Sequence, residues 1–402
     1  MNLTTIREEF PALKDRVFLD AACVSLAARS TVDAVRDFLD IALLCPARSS
    51  TEHHIALDQM REQARPEVAA FLSCHEDEIA LVESTSHALN LAAEAVPLTR
   101  GDRVLLSDME FMEVGIPWCQ KRDQIGIEID VVPNSRGQVH VQDFADRLTP
   151  KTKVVIVSAV QWSSGFRVDL DGLSRLCRDC GVWFVVDAIQ QLGAMPINVA
   201  TTPIDILACG GHKWLNAPFG TGFLYIRQKR LPELRPPLAG YLSVETPEGG
   251  WGNYFQTPEI SPVRNYRYVD AARRFETGGT SNYPGAIGLA ASLKMIRQLG
   301  QQTIAQHIAC LTDHLAAGLQ KLGVEVVTPL DSQHRAAILT FTLGSPEKNV
   351  AAMEYLLDRG VLVSVRYTSG IGGVRVSCHF FNNEADLDRL LEQLGGFLRG
   401  KT

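Results

Sequence analysis

The sequence predicts an α/β fold, with a mostly parallel sheet in a large domain and a small α+β domain at the C-terminal end. Three observations carry this reading. Short apolar runs alternate with helical stretches between about residues 80 and 230, as in successive β-α-β units. Most of these runs are apolar almost throughout, as strands covered on both faces must be. With 402 residues the chain also exceeds one ordinary core.

The elements follow in order. Ile79–Val82 is an apolar run leading into the helical stretch Leu89–Val96. Strands are expected at Arg103–Ser107, Glu128–Val132, Val154–Val160, Val182–Asp187, Ile204–Cys209 and Gly222–Arg227, with a helix over Leu170–Cys180. The stretch Leu231–Tyr268 is rich in Pro, Gly and Tyr and reads as an excursion, a lid or an interface element. A proline opens the helix Pro284–Leu299. The small domain then reads as helix Ile304–Leu322, strand Ala337–Leu343, helix Lys348–Arg359, strands Leu362–Arg366 and Val374–Cys378, and helix Glu384–Arg399. This divides the chain into a large domain, 20–280, and a small one, 1–19 with 281–402.

Composition excludes several classes. A net charge of −7 gives no basic footprint, so no nucleic-acid partner is expected. No run of about 18 uncharged apolar residues occurs, and the N-terminal stretch lacks the apolar core of a signal peptide. The expectation is no membrane association and a cytoplasmic location. Nine scattered cysteines fit reduced thiols. Cys177 and Cys180 form a C-x-x-C at the end of a helix rather than its start, and no second pair completes a zinc site, so no metal is expected. No G-x-G-x-x-G opens a helix after a strand, and no P-loop, H-E-x-x-H or G-x-S-x-G is present, which removes the commonest nucleotide, zinc and serine-hydrolase readings.

Lys213 is the most informative residue. It follows Gly210-Gly211-His212 at the end of a core strand, where lysine is otherwise rare. An amine held there can form a Schiff base with a carbonyl cofactor. Asp187 ends a neighbouring apolar run, where an acid could hold the pyridine nitrogen of pyridoxal phosphate (PLP) protonated. Thr85 and Ser86 precede a helix, and hydroxyls with free amides at a helix start suit a phosphate, although taken alone a plain N-cap is the better reading, because capping is commoner than phosphate binding. His212 can donate to the same phosphate.

Thr85-Ser86, Asp187-Ala188-Ile189-Gln190, Gly211-His212-Lys213, Arg274 to Thr280 and Val374-Arg375-Val376-Ser377 occur in the order found in class V aminotransferases, which the chain resembles over nearly its whole length. The resemblance implies PLP fold type I, PLP as cofactor and an amino-acid substrate. It implies a Schiff base on Lys213, Asp187 on the pyridine nitrogen, Gln190 on the phenolic oxygen, and Thr85, Ser86 and His212 on the phosphate. Gly279 and Thr280 would reach a phosphate in the neighbouring subunit, implying a homodimer with shared active sites. Phe111 would stack on the ring where desulfurases carry a histidine; core packing is its other reading. Arg375 would grip the substrate carboxylate, with a surface salt bridge as the alternative. Ala22 and Cys23 stand at a segment that lies near the substrate, and Gln161 replaces the family's asparagine, followed by Trp162.

One departure bears on the reaction. Desulfurases of this family carry a catalytic cysteine on the loop before Arg375, whereas here Thr368-Ser369-Gly370-Ile371 has none and Cys378 is a poor substitute. The leading expectation is a lyase acting at Cβ of a cysteine-like amino acid without a catalytic cysteine. Aminotransfer, epimerisation and a non-catalytic scaffold remain alternatives.

Overall fold

The computed structural model describes residue 2 and residues 5–400; positions 1, 3, 4, 401 and 402, at the ends of the small domain assigned above, lie outside the described residues. Thirteen strands appear among them: Val17–Phe18 (β1), Ile79–Val82 (β2), Arg103–Ser107 (β3), Glu128–Val132 (β4), Thr152–Ser158 (β5), Trp183–Asp187 (β6), Ile206–Gly210 (β7), Gly222–Ile226 (β8), Glu325–Val326 (β9), Ile338–Thr342 (β10), Val361–Leu362 (β11), Ser364–Thr368 (β12) and Ile371–Ser377 (β13).

Seven strands form the central sheet in the order β2-β8-β7-β6-β5-β3-β4. Neighbours from β7 to β4 pair in parallel, and β8 runs antiparallel to both β2 and β7. Side chains alternate across it with a period of two. Leu105, Val155, Val157, Phe184, Val186, Leu207 and Phe223 fill one core. Val104, Leu106, Val154, Ile156, Val185, Ile206 and Leu224 fill the other. Both faces are covered, which is why these runs are apolar throughout.

The helix Leu170–Cys180 matches its expected bounds, and Asp169 caps it by accepting from the Gly172 amide. Val154–Val160 does not match fully: the strand ends at Ser158, where the Ala159 amide makes the last ladder bond to β6, donating to the Asp187 carbonyl at 2.8 Å. Three helices, Arg29–Leu44, Ser50–Glu62 and Ala64–Leu72, precede the sheet and have no counterpart in the expected elements. The excursion contains only short 3-10 turns and the helix Gly250–Tyr254.

A four-stranded sheet, β12-β13-β10-β9, builds the C-terminal unit around Leu311, Leu315, Leu339, Phe341, Val374, Val376 and Leu387. The first strand β1 pairs in parallel with β11, Val17 opposite Val361. The chain therefore passes from this unit straight into Asp20-Ala21-Ala22, and that crossing brings Arg375 up to the carboxyl edge of the central sheet.

Candidate active site

Ligands in open α/β sheets sit beyond the carboxyl ends of parallel strands. Here β5, β6 and β7 end side by side, with Ser158 opposite Asp187 and Asp187 opposite Ala208. At the last residue of β7, the Gly210 amide donates to Thr85 Oγ1 at 2.7 Å. A Cβ on Gly210 would stand 2.9 Å from that oxygen, and one on Gly211 would stand 2.7 Å from Ala217, so both glycines permit the close turn into Lys213. The Ser25 amide donates to the His212 carbonyl at 2.9 Å, and Asn216 Nδ2 donates to Leu26 O, also at 2.9 Å, tying this turn to the N-terminal segment.

A cavity of about 350 Å³ opens at this edge. Ala22, Thr85, Ser86, Phe111, Asp187, Gln190, His212, Lys213 and Arg375 all line it, as does Cys23. An apolar cavity of about 500 Å³ among Tyr241, Trp251, Tyr254 and Phe255 brings together no acid, amine or thiol.

Burial sets the charges. It lowers the Lys213 amine to about 8, with Asp187 opposing the shift and Arg375 adding to it. It raises the Asp187 carboxyl to about 6, against the Ile189 amide, which donates to Oδ1 at 2.9 Å, and against Lys213. It lowers His212 to about 4, helped by Lys213, so this imidazole is neutral at neutral pH. A measurable consequence follows for cofactor uptake. Schiff-base formation needs the free amine, so the rate at which apoprotein takes up PLP should rise about tenfold per pH unit below 8 and level off above it. An ordinary lysine would keep rising toward 10.5. Stopped-flow absorbance between pH 6 and 10 reads the break, and a break near 10 would contradict the buried amine.

Other groups are held by their neighbours. Trp214 Nε1 donates to Gln190 Oε1 at 2.9 Å, and Gln190 Nε2 donates to the Ala22 carbonyl at 3.1 Å. The amide is thereby oriented to present its remaining N–H, a donor suited to an oxygen acceptor. Trp214 stacks on His379 at 5.3 Å, a histidine that burial lowers to about 3 and keeps neutral. Arg375 is 1% exposed; Nη2 donates to Asp20 Oδ1 and Nη1 to the Trp162 carbonyl, each at 3.0 Å. The surface-salt-bridge alternative for it therefore falls. Phe111 is 39% exposed with its ring edge-on to Trp162 at 5.1 Å, so core packing does not describe it.

Gln161 is a correction. It is fully buried behind the cavity wall, its Nε2 donating to Glu110 Oε1 at 3.1 Å, and Trp162 takes the lining position. Glu110 also accepts from Ser107 Oγ at 2.9 Å and the Ser158 amide at 2.8 Å, and burial raises its pKa. Gly279 and Thr280 stand away from this cavity. Glu113 and Arg366 line it and were not foreseen, although an arginine inside the β-type run Leu362–Arg366 was a visible signal.

The residues present fit PLP. Ser84 caps the helix Thr85–Ala95, accepting from the His87 amide, which leaves the Thr85 and Ser86 amides and the Ser86 hydroxyl without partners among the described residues. That is an anion cradle beside an amine, an acid and an amide donor.

The fold and this edge define a PLP-dependent enzyme of the α/β type. The family model for aminotransferase class-V matches residues 17–390, and the chain belongs to that family. It is 28% identical to a probable cysteine desulfurase of Methanothermobacter thermautotrophicus, covering 98% of this chain and 99% of the relative. It is 24% identical to a cysteine desulfurase of Yersinia pseudotuberculosis, covering 97% and 96%. The apo structure of a cysteine desulfurase from Thermococcus onnurineus superposes with a TM-score of 0.86 at 25% identity, covering 99% and 98% of the two chains. A cystine C-S lyase in complex with cysteine persulfide shares the fold, with a TM-score of 0.85 at 23% identity over 96% and 99%. Among the described residues no helix is long and apolar enough to cross a membrane.

Proposed function

We propose that the protein is a lyase that breaks the Cβ–S bond of a cysteine-like amino acid by elimination, without a catalytic cysteine. The observation that carries this is the turn between β12 and β13. It consists of Ser369 and Gly370, both with positive φ, and Ser369 Oγ donates to the Asp108 carbonyl at 2.7 Å. No thiol stands there. Cys378 is fully buried, and burial pushes its thiol up to about 12, which makes it inert.

In this reading Thr85, Ser86 and His212 hold the phosphate, Asp187 the pyridine nitrogen, and Gln190 the phenolic oxygen, while Phe111 covers the ring. Bound PLP supplies an electron sink for the charge developing at Cα. Arg375 grips the α-carboxylate, with Ala22 beside it. Lys213 Nζ takes the Cα proton, a role suited to an amine lowered to about 8. The Cβ–S bond then breaks and sulfur leaves with its electron pair, a step that requires no protein thiol. Gly279 and Thr280, outside this chain's own cavity, complete the phosphate site of a second copy in a homodimer with shared active sites. We divide the chain accordingly into 20–280 and 1–19 with 281–402. All nine cysteines are free, which supports a reducing cytoplasm.

The test is product analysis of PLP-loaded protein with L-cysteine and S-substituted cysteines, with no keto acid added. Pyruvate and the free thiol are expected. Transfer that depends on an added keto acid would replace the lyase with an aminotransferase, and inverted amino acid with an epimerase. Absence of a visible cofactor band after PLP loading would leave a scaffold. Cys23→Ala is expected to go on forming pyruvate; a sulfur release that disappears in this variant would contradict elimination without a thiol.

A further inference from the structure

We propose that Arg366 reads a negative charge on the substituent at Cβ, so that the preferred substrate is a cysteine S-conjugate with an anionic tail. This rests on the lyase reading above. Two arginines, Arg366 and Arg375, line the cavity beside Lys213. Lys213 and Asp187 act on each other, Arg375 is paired with Asp20, and His212 is neutral. Arg366 is the cation left over. Its Nη1 donates to the Val365 carbonyl at 2.8 Å and its Nη2 to Cys23 Sγ at 3.8 Å, and no carboxylate pairs with it among the described residues. The cavity's other carboxylate, Glu113, bears on Asp187.

Strand register puts Arg366 at the substrate end. Ser364 lies directly opposite Arg375 in the antiparallel pair, so the two share a face. Arg366 is two residues along from Ser364 and therefore on that same face. Ser364 Oγ and Arg375 Nη2 both donate to Asp20 Oδ1, at 2.8 and 3.0 Å, which fixes the face as the one turned toward the cavity. Opposite Arg366 stands Gly373, which offers no side chain to occupy the guanidinium. A thiol sulfur is a weak acceptor. A carboxylate, sulfonate or similar anion in its place would make charge-assisted bonds about 2.7–2.9 Å long. Arg375 already serves the α-carboxylate in this reading, so the anion that Arg366 would bind belongs to the substituent. That anion stays beside the guanidinium as the sulfur departs with the bonding pair.

Two thioethers of nearly identical shape test this: S-carboxymethyl-L-cysteine, which is anionic, and S-carbamoylmethyl-L-cysteine, which is neutral. The acid should be preferred by about tenfold or more in kcat/KM for pyruvate release. Arg366→Gln should bring the ratio close to one, and Arg366→Lys should keep part of it. Calorimetric titration of PLP-loaded Lys213→Ala protein should show the same ratio in Kd, independent of turnover. Equal constants for the two compounds in both experiments would overturn the assignment of Arg366 while leaving the lyase intact. Absence of pyruvate from either compound and from L-cysteine would instead overturn the lyase reading, and the calorimetric ratio would then decide on Arg366 alone.

Discussion

Lys213→Ala is expected to lose at least about a thousandfold in turnover with every amino acid tried. Among the described residues Lys213 is the only lysine that lines the cavity, so no neighbouring amine can take over the Cα proton. The loss should be chemical and not structural. Burial holds the Lys213 amine below its ordinary value of 10.5, at about 8. A cation with a lowered folded pKa contributes stability that is present above the unfolded value and lost as pH falls through the folded one. At pH 7 the charged amine therefore weighs against the folded apoprotein, and removing it should leave the melting temperature unchanged or higher. Single-turnover absorbance, with and without added methylamine, separates the roles. A small amine that restores part of the rate supplies the missing base. Turnover within tenfold of wild type would remove Lys213 from the reaction.

The residues legible in the sequence were those whose chemistry conflicts with their surroundings. Asp187 and Lys213 stood out as charges at the ends of apolar strands, and the structure places both on one cavity. The strand Arg103–Ser107 was legible to its last residue because burial on both faces keeps Val104, Leu105 and Leu106 apolar. The edge strand Glu128–Val132, with Val132 its one buried residue, was legible from its β-branched residues Ile129, Val131 and Val132. Strand direction was not, since apolar patterning is the same whichever way a strand runs; the antiparallel insertion of Gly222–Ile226 between Ile79–Val82 and Ile206–Gly210 is set by tertiary pairing. The helix Arg29–Leu44 escaped because its apolar residues do not form one buried stripe: Leu43 is 80% and Leu44 74% exposed. Gln161 misled for a different reason. Its position followed the family pattern, but its side chain answers to the buried Glu110, which no sequence period announces.

Glu276→Ala should destabilise the protein by about 3–5 kcal/mol, the largest stability effect expected of a single change here. The carboxylate is 7% exposed and holds two arginines that are themselves buried, Arg61 at 5% and Arg65 at 6%. Arg61 Nη2 donates to Oε2 at 2.6 Å and Arg65 Nη1 to Oε1 at 2.8 Å, while the Leu81 amide adds a third bond at 2.8 Å. Burial alone would raise this carboxyl, but Arg65 and Arg61 hold it below the usual carboxylate range. Removing it leaves the two buried cations with the half-buried Glu62 as their one remaining carboxylate, which already pairs with both and cannot neutralise two charges. The site would be affected as well. Arg65 also donates to the Ile79 carbonyl at 2.6 Å, and Arg61 Nε donates to Ser281 Oγ at 3.0 Å, so the carboxylate fixes strand Ile79–Val82 and the loop leading to Thr280 together. In the proposed homodimer that loop serves the second copy, so Glu276→Ala should weaken PLP retention along with the fold. Denaturant unfolding and dialysis against buffer without PLP measure the two effects. A loss below about 1 kcal/mol would mean that the two arginines find water or other partners when the carboxylate is gone.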